Sequence, residues 1–86
     1  MIQIYVTDDC PRCHALMEWL DVNIIGYEVL PLDAEALADM ACEGVFTREA
    51  PVMKVGAYWY VANELFTSSG LDSLKLRKIF AMGEFK

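Results

Sequence analysis

The string Thr7-Asp8-Asp9-Cys10-Pro11-Arg12-Cys13-His14 sets two cysteines one helical turn apart. Thiols at that spacing can close on each other as a disulfide, and the pair can then exchange with a disulfide of another molecule. One thiolate attacks, a mixed disulfide forms, and the second thiol resolves it. The chemistry needs the first sulfur as thiolate, because the thiolate rather than the thiol is the nucleophile. The elements on either side favour that state at Cys10. Before it, Ile2, Ile4 and Val6 alternate with Gln3 and Tyr5 as in a strand; after it, Leu16, Trp19 and Leu20 fall at helical spacing. Pro11 suits the first helical position, since its φ is already helical and its missing N–H has no partner there. Cys10 is thereby predicted at the N-cap, where the helix dipole and unpaired backbone N–H groups stabilise negative charge.

The 86 residues are expected to form one domain, 1–86, able to fold alone. Three cysteines are too few and too unevenly spaced for a secreted disulfide scaffold. Met1-Ile2-Gln3-Ile4 has no basic leader region, and no apolar run reaches the length of about 18 residues that spans a bilayer. The expected setting is a reducing cytoplasm with no membrane partner, and the expected state is a monomer. Thirteen Asp and Glu against seven Lys and Arg give a net charge of -6, which argues against nucleic acid as a partner. The acidic surface reads as a solvated face, with docking onto a basic patch of a partner enzyme as its functional alternative.

Further along, Gly26 breaks the first helix and Tyr27 to Leu32 reads as a strand. Asp33 is placed to cap a helix over 34–41, which Gly44 stops. Val52 to Val55 and Tyr58 to Val61 read as a hairpin turned at Gly56, and 62–69 as a connection without a defined form. A polar start at Ser69 to Ser73 then precedes a helix with Leu74, Leu76, Ile79 and Phe80 as its apolar stripe. The order is β-α-β-α-β-β-α, an α/β fold whose first two strands are parallel with a right-handed crossover.

That order, with the cysteine pair at the first strand–helix junction and a proline opening the third strand, resembles the glutaredoxin family of the thioredoxin-like fold over nearly the whole chain. Cys10-Pro11-Arg12-Cys13 is similar to the family's Cys-Pro-Tyr-Cys site, with Arg12 in place of tyrosine. Arg48-Glu49-Ala50-Pro51 is similar to the segment Arg-Thr-Val-Pro that ends in a cis-proline, and Ser69-Gly70-Leu71-Asp72-Ser73 to the Gly-Gly-x-Asp-Asp stretch at the last helix. The resemblance implies a four-stranded mixed sheet flanked by helices and a thiol–disulfide oxidoreductase. Cys10 is its nucleophile and Cys13 its resolving thiol, with no bound cofactor and glutathione as co-substrate. The substrate and glutathione site it implies takes in Arg12, Arg48, Ala50, Pro51, Asp72 and Ser73. A cis bond at Pro51 presents the backbone of Ala50 to a cysteine-containing substrate. The N–H groups of Asp72 and Ser73 at a helix start suit a carboxylate. Where glutaredoxins carry a lysine that meets glutathione's glycyl carboxylate, this chain has Thr7, and Asp8 and Asp9 add negative charge beside the reactive sulfur. Weak use of glutathione is therefore expected, with a flavin-containing thioredoxin reductase as the alternative electron source. That alternative is the arrangement of glutaredoxin-like proteins that donate electrons to ribonucleotide reductase.

Other readings of the same residues remain open. Cys10-Pro11-Arg12-Cys13-His14 matches the attachment site for c-type haem letter for letter, but a strand before it in an α/β chain leaves no evident haem pocket. Cys42 and His14 with the cysteine pair are a weak zinc set. Some glutaredoxins hold an iron–sulfur cluster between subunits, which makes a non-catalytic cluster carrier a further alternative. Cys42 itself is predicted to be a half-buried helix residue. Trp19 and Tyr58-Trp59-Tyr60 are predicted to pack in the core and on the sheet, and Phe85 and Lys86 to fray at the terminus.

Overall fold

The computed structural model describes residues 2–81, so Phe85 and Lys86 lie outside the described residues. Strand β1 is Ile2–Val6 and helix α1 Pro11–Val22. They are followed by β2 at Glu28–Pro31, α2 at Ala34–Cys42, β3 at Val52–Val55 and β4 at Tyr58–Tyr60. The four strands form one mixed sheet in the order β2-β1-β3-β4, with β1 parallel to β2 and antiparallel to β3, and β3 antiparallel to β4. Alternation along the strands sends their side chains to two different layers. Ile2, Ile4, Met53 and Val55 face one layer with Leu16 and Leu20 of α1, where Trp19 stacks on Phe80 at 5.9 Å. Val52 faces the other layer with Ala36 and Met40 of α2, beside Tyr5 and Trp59. The Tyr5 and Trp59 rings lie 5.6 Å apart, and the Lys54 ammonium sits 4.7 Å above the Trp59 ring. Helices therefore flank both faces of the sheet.

The local signals act as read from the sequence. The Asp33 carboxylate accepts from Ala36 N–H at 2.9 Å and caps α2, and Gly44 takes a left-handed φ of +81° just past its end. Gly56, at φ +61°, turns the hairpin.

Residues 62–69, expected as a connection without a defined form, hold a single helical turn, α3 at Ala62–Leu65, and a strand, β5 at Phe66–Thr67; Gly70–Leu71, expected in the polar start of the last helix, is instead β6, paired antiparallel with β5. Val61, expected in the hairpin, instead leads into α3, and its N–H donates to the Glu64 carboxylate at 3.2 Å. The last helix, α4, is Ser73–Ala81. Its buried stripe is Leu76, Ile79 and Phe80, whereas Leu74, expected in that stripe, is 69% exposed. Two residues turn a helix by about 200°, so Leu74 cannot share a face with Leu76. Among the described residues, no helix is long and apolar enough to cross a membrane.

Candidate active site

Sheet register brings the site together. Because β1 and β3 are antiparallel with Tyr5 opposite Val52, the chain leaving β1 toward Cys10 runs beside the chain entering β3 from Pro51. On the other side Val6 pairs with Pro31, and Leu32 N–H donates to Val6 O at 2.8 Å. The result is a small cluster of Cys10, Cys13 and Ala50, with Val6, Met17 and Leu32 packed against it and Pro51 fully buried. The Ala50–Pro51 peptide bond is cis.

Cys10 is the N-cap of α1, with extended backbone (φ -112°, ψ 96°), and Pro11 is the first helical residue. Its Sγ accepts a hydrogen bond from Cys13 N–H at 3.1 Å, one of the donors that a helix start leaves unpaired. The two cysteines are joined as a disulfide, their Cα atoms 5.2 Å apart. Cys10 is 9% exposed and Cys13 2%, so the cysteine at the helix start is the less buried of the two. Thr7, Asp8, Asp9, Pro11, Arg12 and His14 form the exposed rim, and Asp9 takes a left-handed φ of +51° that reverses the chain into the helix.

No protein-family model matches the chain, and no curated protein matches it. Among solved structures it is similar to a mutant of the thioredoxin-like protein BC3987, with a TM-score of 0.68 and 22% identity over 93% of this chain and 94% of that one. It is also similar to the glutaredoxin grx-1 from Archaeoglobus fulgidus, with a TM-score of 0.63 and 20% identity over 92% of this chain and 84% of that one. The chain has a thioredoxin-like fold. Its Cys-x-x-Cys pair lies at the first strand–helix junction of that fold, and two thiols at this spacing are able to close on each other and exchange with another disulfide.

The residues expected around the cysteines divide into two groups. Ala50 and Pro51 are at the pair. Arg12 lies beside it, but its guanidinium is taken: it forms an ion pair with Glu49 at 3.8 Å and sits 5.6 Å from the centre of the Phe66 ring. Neither contact has a local signal in the sequence; Glu49 stands where the similar Arg-Thr-Val-Pro segment has threonine. Arg48, the neighbour of Glu49, is exposed and lines an open cleft of about 530 Å³ with Leu37, Val45, Phe46 and Thr47.

Asp72 differs from the expectation of a free N–H. Its N–H donates to Leu65 O at 2.8 Å, and its own carboxylate caps α4 by accepting from Lys75 N–H at 3.1 Å. The turn that brings β6 back beside β5 places Asp72 against the end of α3, which is why that donor is used internally. Ser73 is the first residue of α4 and is exposed.

Cys42 is exposed at the last position of α2 rather than half-buried, because Met40 defines the buried face and Cys42 lies about 200° around the helix from it. Among the described residues, no group of three or more His, Cys, Asp or Glu side chains is arranged to hold a metal ion.

Proposed function

We propose that this protein is a dithiol–disulfide oxidoreductase that reduces disulfides of proteins, and mixed disulfides with glutathione, through Cys10 and Cys13. The observation that carries this reading is the disulfide at the start of α1, with the less buried cysteine at the N-cap and Ala50 in the same buried cluster. In the reduced protein, the helix start favours the Cys10 thiolate, which attacks a substrate sulfur and displaces one thiolate. Cys13 then attacks Cys10 in the mixed disulfide, releases the second substrate thiol and leaves the pair oxidised, with two electrons passed to the substrate. The backbone of Ala50 is positioned beside the pair to bind an extended cysteine-containing segment. The chemistry uses no bound cofactor and suits a reducing cytoplasm and a monomer.

Reduction of the oxidised pair has two candidate sources. For glutathione, the exposed Arg48 offers a cation for a carboxylate. A flavin-containing thioredoxin reductase is favoured by two specific contacts: the Asp72 N–H is bound to Leu65 O, and the Glu49 carboxylate lowers the charge that Arg12 offers an anion. In the second case the protein serves as an electron donor to an enzyme of the ribonucleotide reductase kind. Turnover of bis-hydroxyethyl disulfide, driven by glutathione with glutathione reductase or by thioredoxin reductase, tests the reading. Activity with either system that disappears in Cys10→Ser supports an oxidoreductase. No activity with both, together with a visible absorption spectrum from anaerobically purified protein, favours a cluster carrier instead.

A further inference from the structure

Arg12 is the cation set between the two cysteines, and both of its contacts come from segments distant in sequence. Glu49 reaches it from the strand-entry segment that ends at Pro51, and Phe66 lies under it from the β5–β6 ribbon. Ala50, next to Glu49, shares a buried cluster with both cysteines, so this ion pair borders the exchange site. We propose that Glu49 is a specificity-determining residue: by occupying the Arg12 guanidinium it turns the site away from anionic disulfides. The proposal rests on the oxidoreductase reading given above and names the charge class of substrate which that site prefers.

A disulfide whose substituents carry carboxylates approaches Cys10 past the exposed Asp8 and Asp9. The Arg12 guanidinium would offset that repulsion, but the Glu49 carboxylate partly offsets its charge. At 3.8 Å, with both side chains about half exposed, the pair is loose and solvated, so it is open to exchange and its effect is several-fold rather than absolute. The Phe66 ring holds the guanidinium through a separate contact, so loss of Glu49 leaves Arg12 near its present position with its charge available.

The step that reads the charge is the exchange itself. The Cys10 thiolate attacks one sulfur of a symmetric disulfide RSSR; the S–S bond breaks, RS⁻ leaves and a Cys10–S–S–R bond forms. The Cys13 thiolate then attacks the Cys10 sulfur and displaces a second RS⁻. Two electrons have passed from the protein dithiol to RSSR, and the two protons of the dithiol end on two RSH.

The test uses full-length protein, reduced and desalted, in single turnover with cationic cystamine, neutral bis-hydroxyethyl disulfide and anionic dithiodipropionate at low ionic strength. The wild-type protein is expected to favour the cationic over the anionic disulfide. In Glu49→Gln the ratio of anionic to neutral rates is expected to rise about fivefold, the scale of a surface ion pair, and to collapse toward wild type in high salt. In an Arg12→Gln background, the same Glu49→Gln change is expected to give less than about half of that gain, because no guanidinium is left to release. Circular dichroism checks that each variant is folded. An unchanged ratio in Glu49→Gln overturns the proposal, and so does an undiminished gain in the Arg12→Gln background. Failure of the wild-type protein to react with the neutral disulfide overturns the oxidoreductase reading itself, and this proposal with it.

Discussion

Helices α1 and α4 begin with the same hydrogen-bond geometry and opposite chemical availability. At α1, the N-cap sulfur of Cys10 accepts from Cys13 N–H at 3.1 Å. At α4, the N-cap carboxylate of Asp72 accepts from Lys75 N–H, also at 3.1 Å, while the Asp72 N–H is bound to Leu65 O. A carboxylate cap is itself the anion that a helix start attracts, so the start of α4 satisfies its own electrostatics. A cysteine cap becomes an anion only when its disulfide is opened. Among the helix starts of the described residues, the one at α1 is capped by a sulfur that reduction would free, whereas the Asp33 and Asp72 carboxylates are held in capping their own helices.

The largest expected effect comes from removing the sulfur cap. Cys10→Ser is expected to abolish disulfide reduction, and Cys13→Ser to retain attack but accumulate mixed disulfides, visible by mass spectrometry. In the reduced wild-type protein, Cys10 is expected to react with iodoacetamide well before Cys13, because the helix start acts on it and because it is less buried. Equal labelling rates would remove the distinction between nucleophile and resolving thiol.

Next in size is the response to glutathione, which asks whether cations around the start of α1 hold an external carboxylate that the self-capped start of α4 does not. A charge-assisted contact is worth roughly 1.5–3 kcal/mol, or one to two decades in affinity. Thr7→Lys supplies a cation that the site lacks and is expected to raise glutathione-dependent turnover by about tenfold. Arg48→Ala is expected to lower it. If Thr7→Lys gives no gain while thioredoxin reductase drives the wild-type protein efficiently, the glutathione site is absent and the reductase-linked reading replaces it.

Where the sequence was informative, the deciding signal was local. Cys10 followed by Pro11, Asp33 before a helical stretch, Gly44 after it and Gly56 within the hairpin each act through their own backbone, and each sits where its chemistry indicated. The Arg12–Glu49 pair depends on the β1–β3 register, which joins segments that no local pattern relates. Residues 66–71 form strands of only two residues each, too short for alternation to show. Cys42 and Leu74 were misplaced by phase: each lies two positions from the residue that defines its helix's buried face, Met40 and Leu76 respectively. Composition finds such helices, but only the packing fixes which side is turned inward.

The carboxylate caps are expected to be structural in effect. Asp72→Ala and Asp33→Ala each remove one capping hydrogen bond and are expected to lower stability by about 1 kcal/mol, the usual scale for an N-cap, as measured by urea unfolding. A much larger loss at Asp72 than at Asp33 would show that its contacts around the ribbon, rather than the cap, dominate its role.

The smallest effect is expected at the third cysteine, which tests whether position or residue type makes a thiol part of this chemistry. Cys42 is the most exposed of the three cysteines, yet it ends a helix instead of beginning one and belongs to no cysteine cluster. It is an exposed residue, so Cys42→Ala is expected to change stability by less than about 0.5 kcal/mol, as for other surface substitutions. Disulfide reduction is expected to stay within a factor of about two of wild type, because both thiols that the exchange requires are supplied by Cys10 and Cys13. Loss of turnover in this variant, with unfolding unchanged, would instead make Cys42 a participant in the redox cycle. The contrast between the cysteines would then rest on exposure rather than on the helix start.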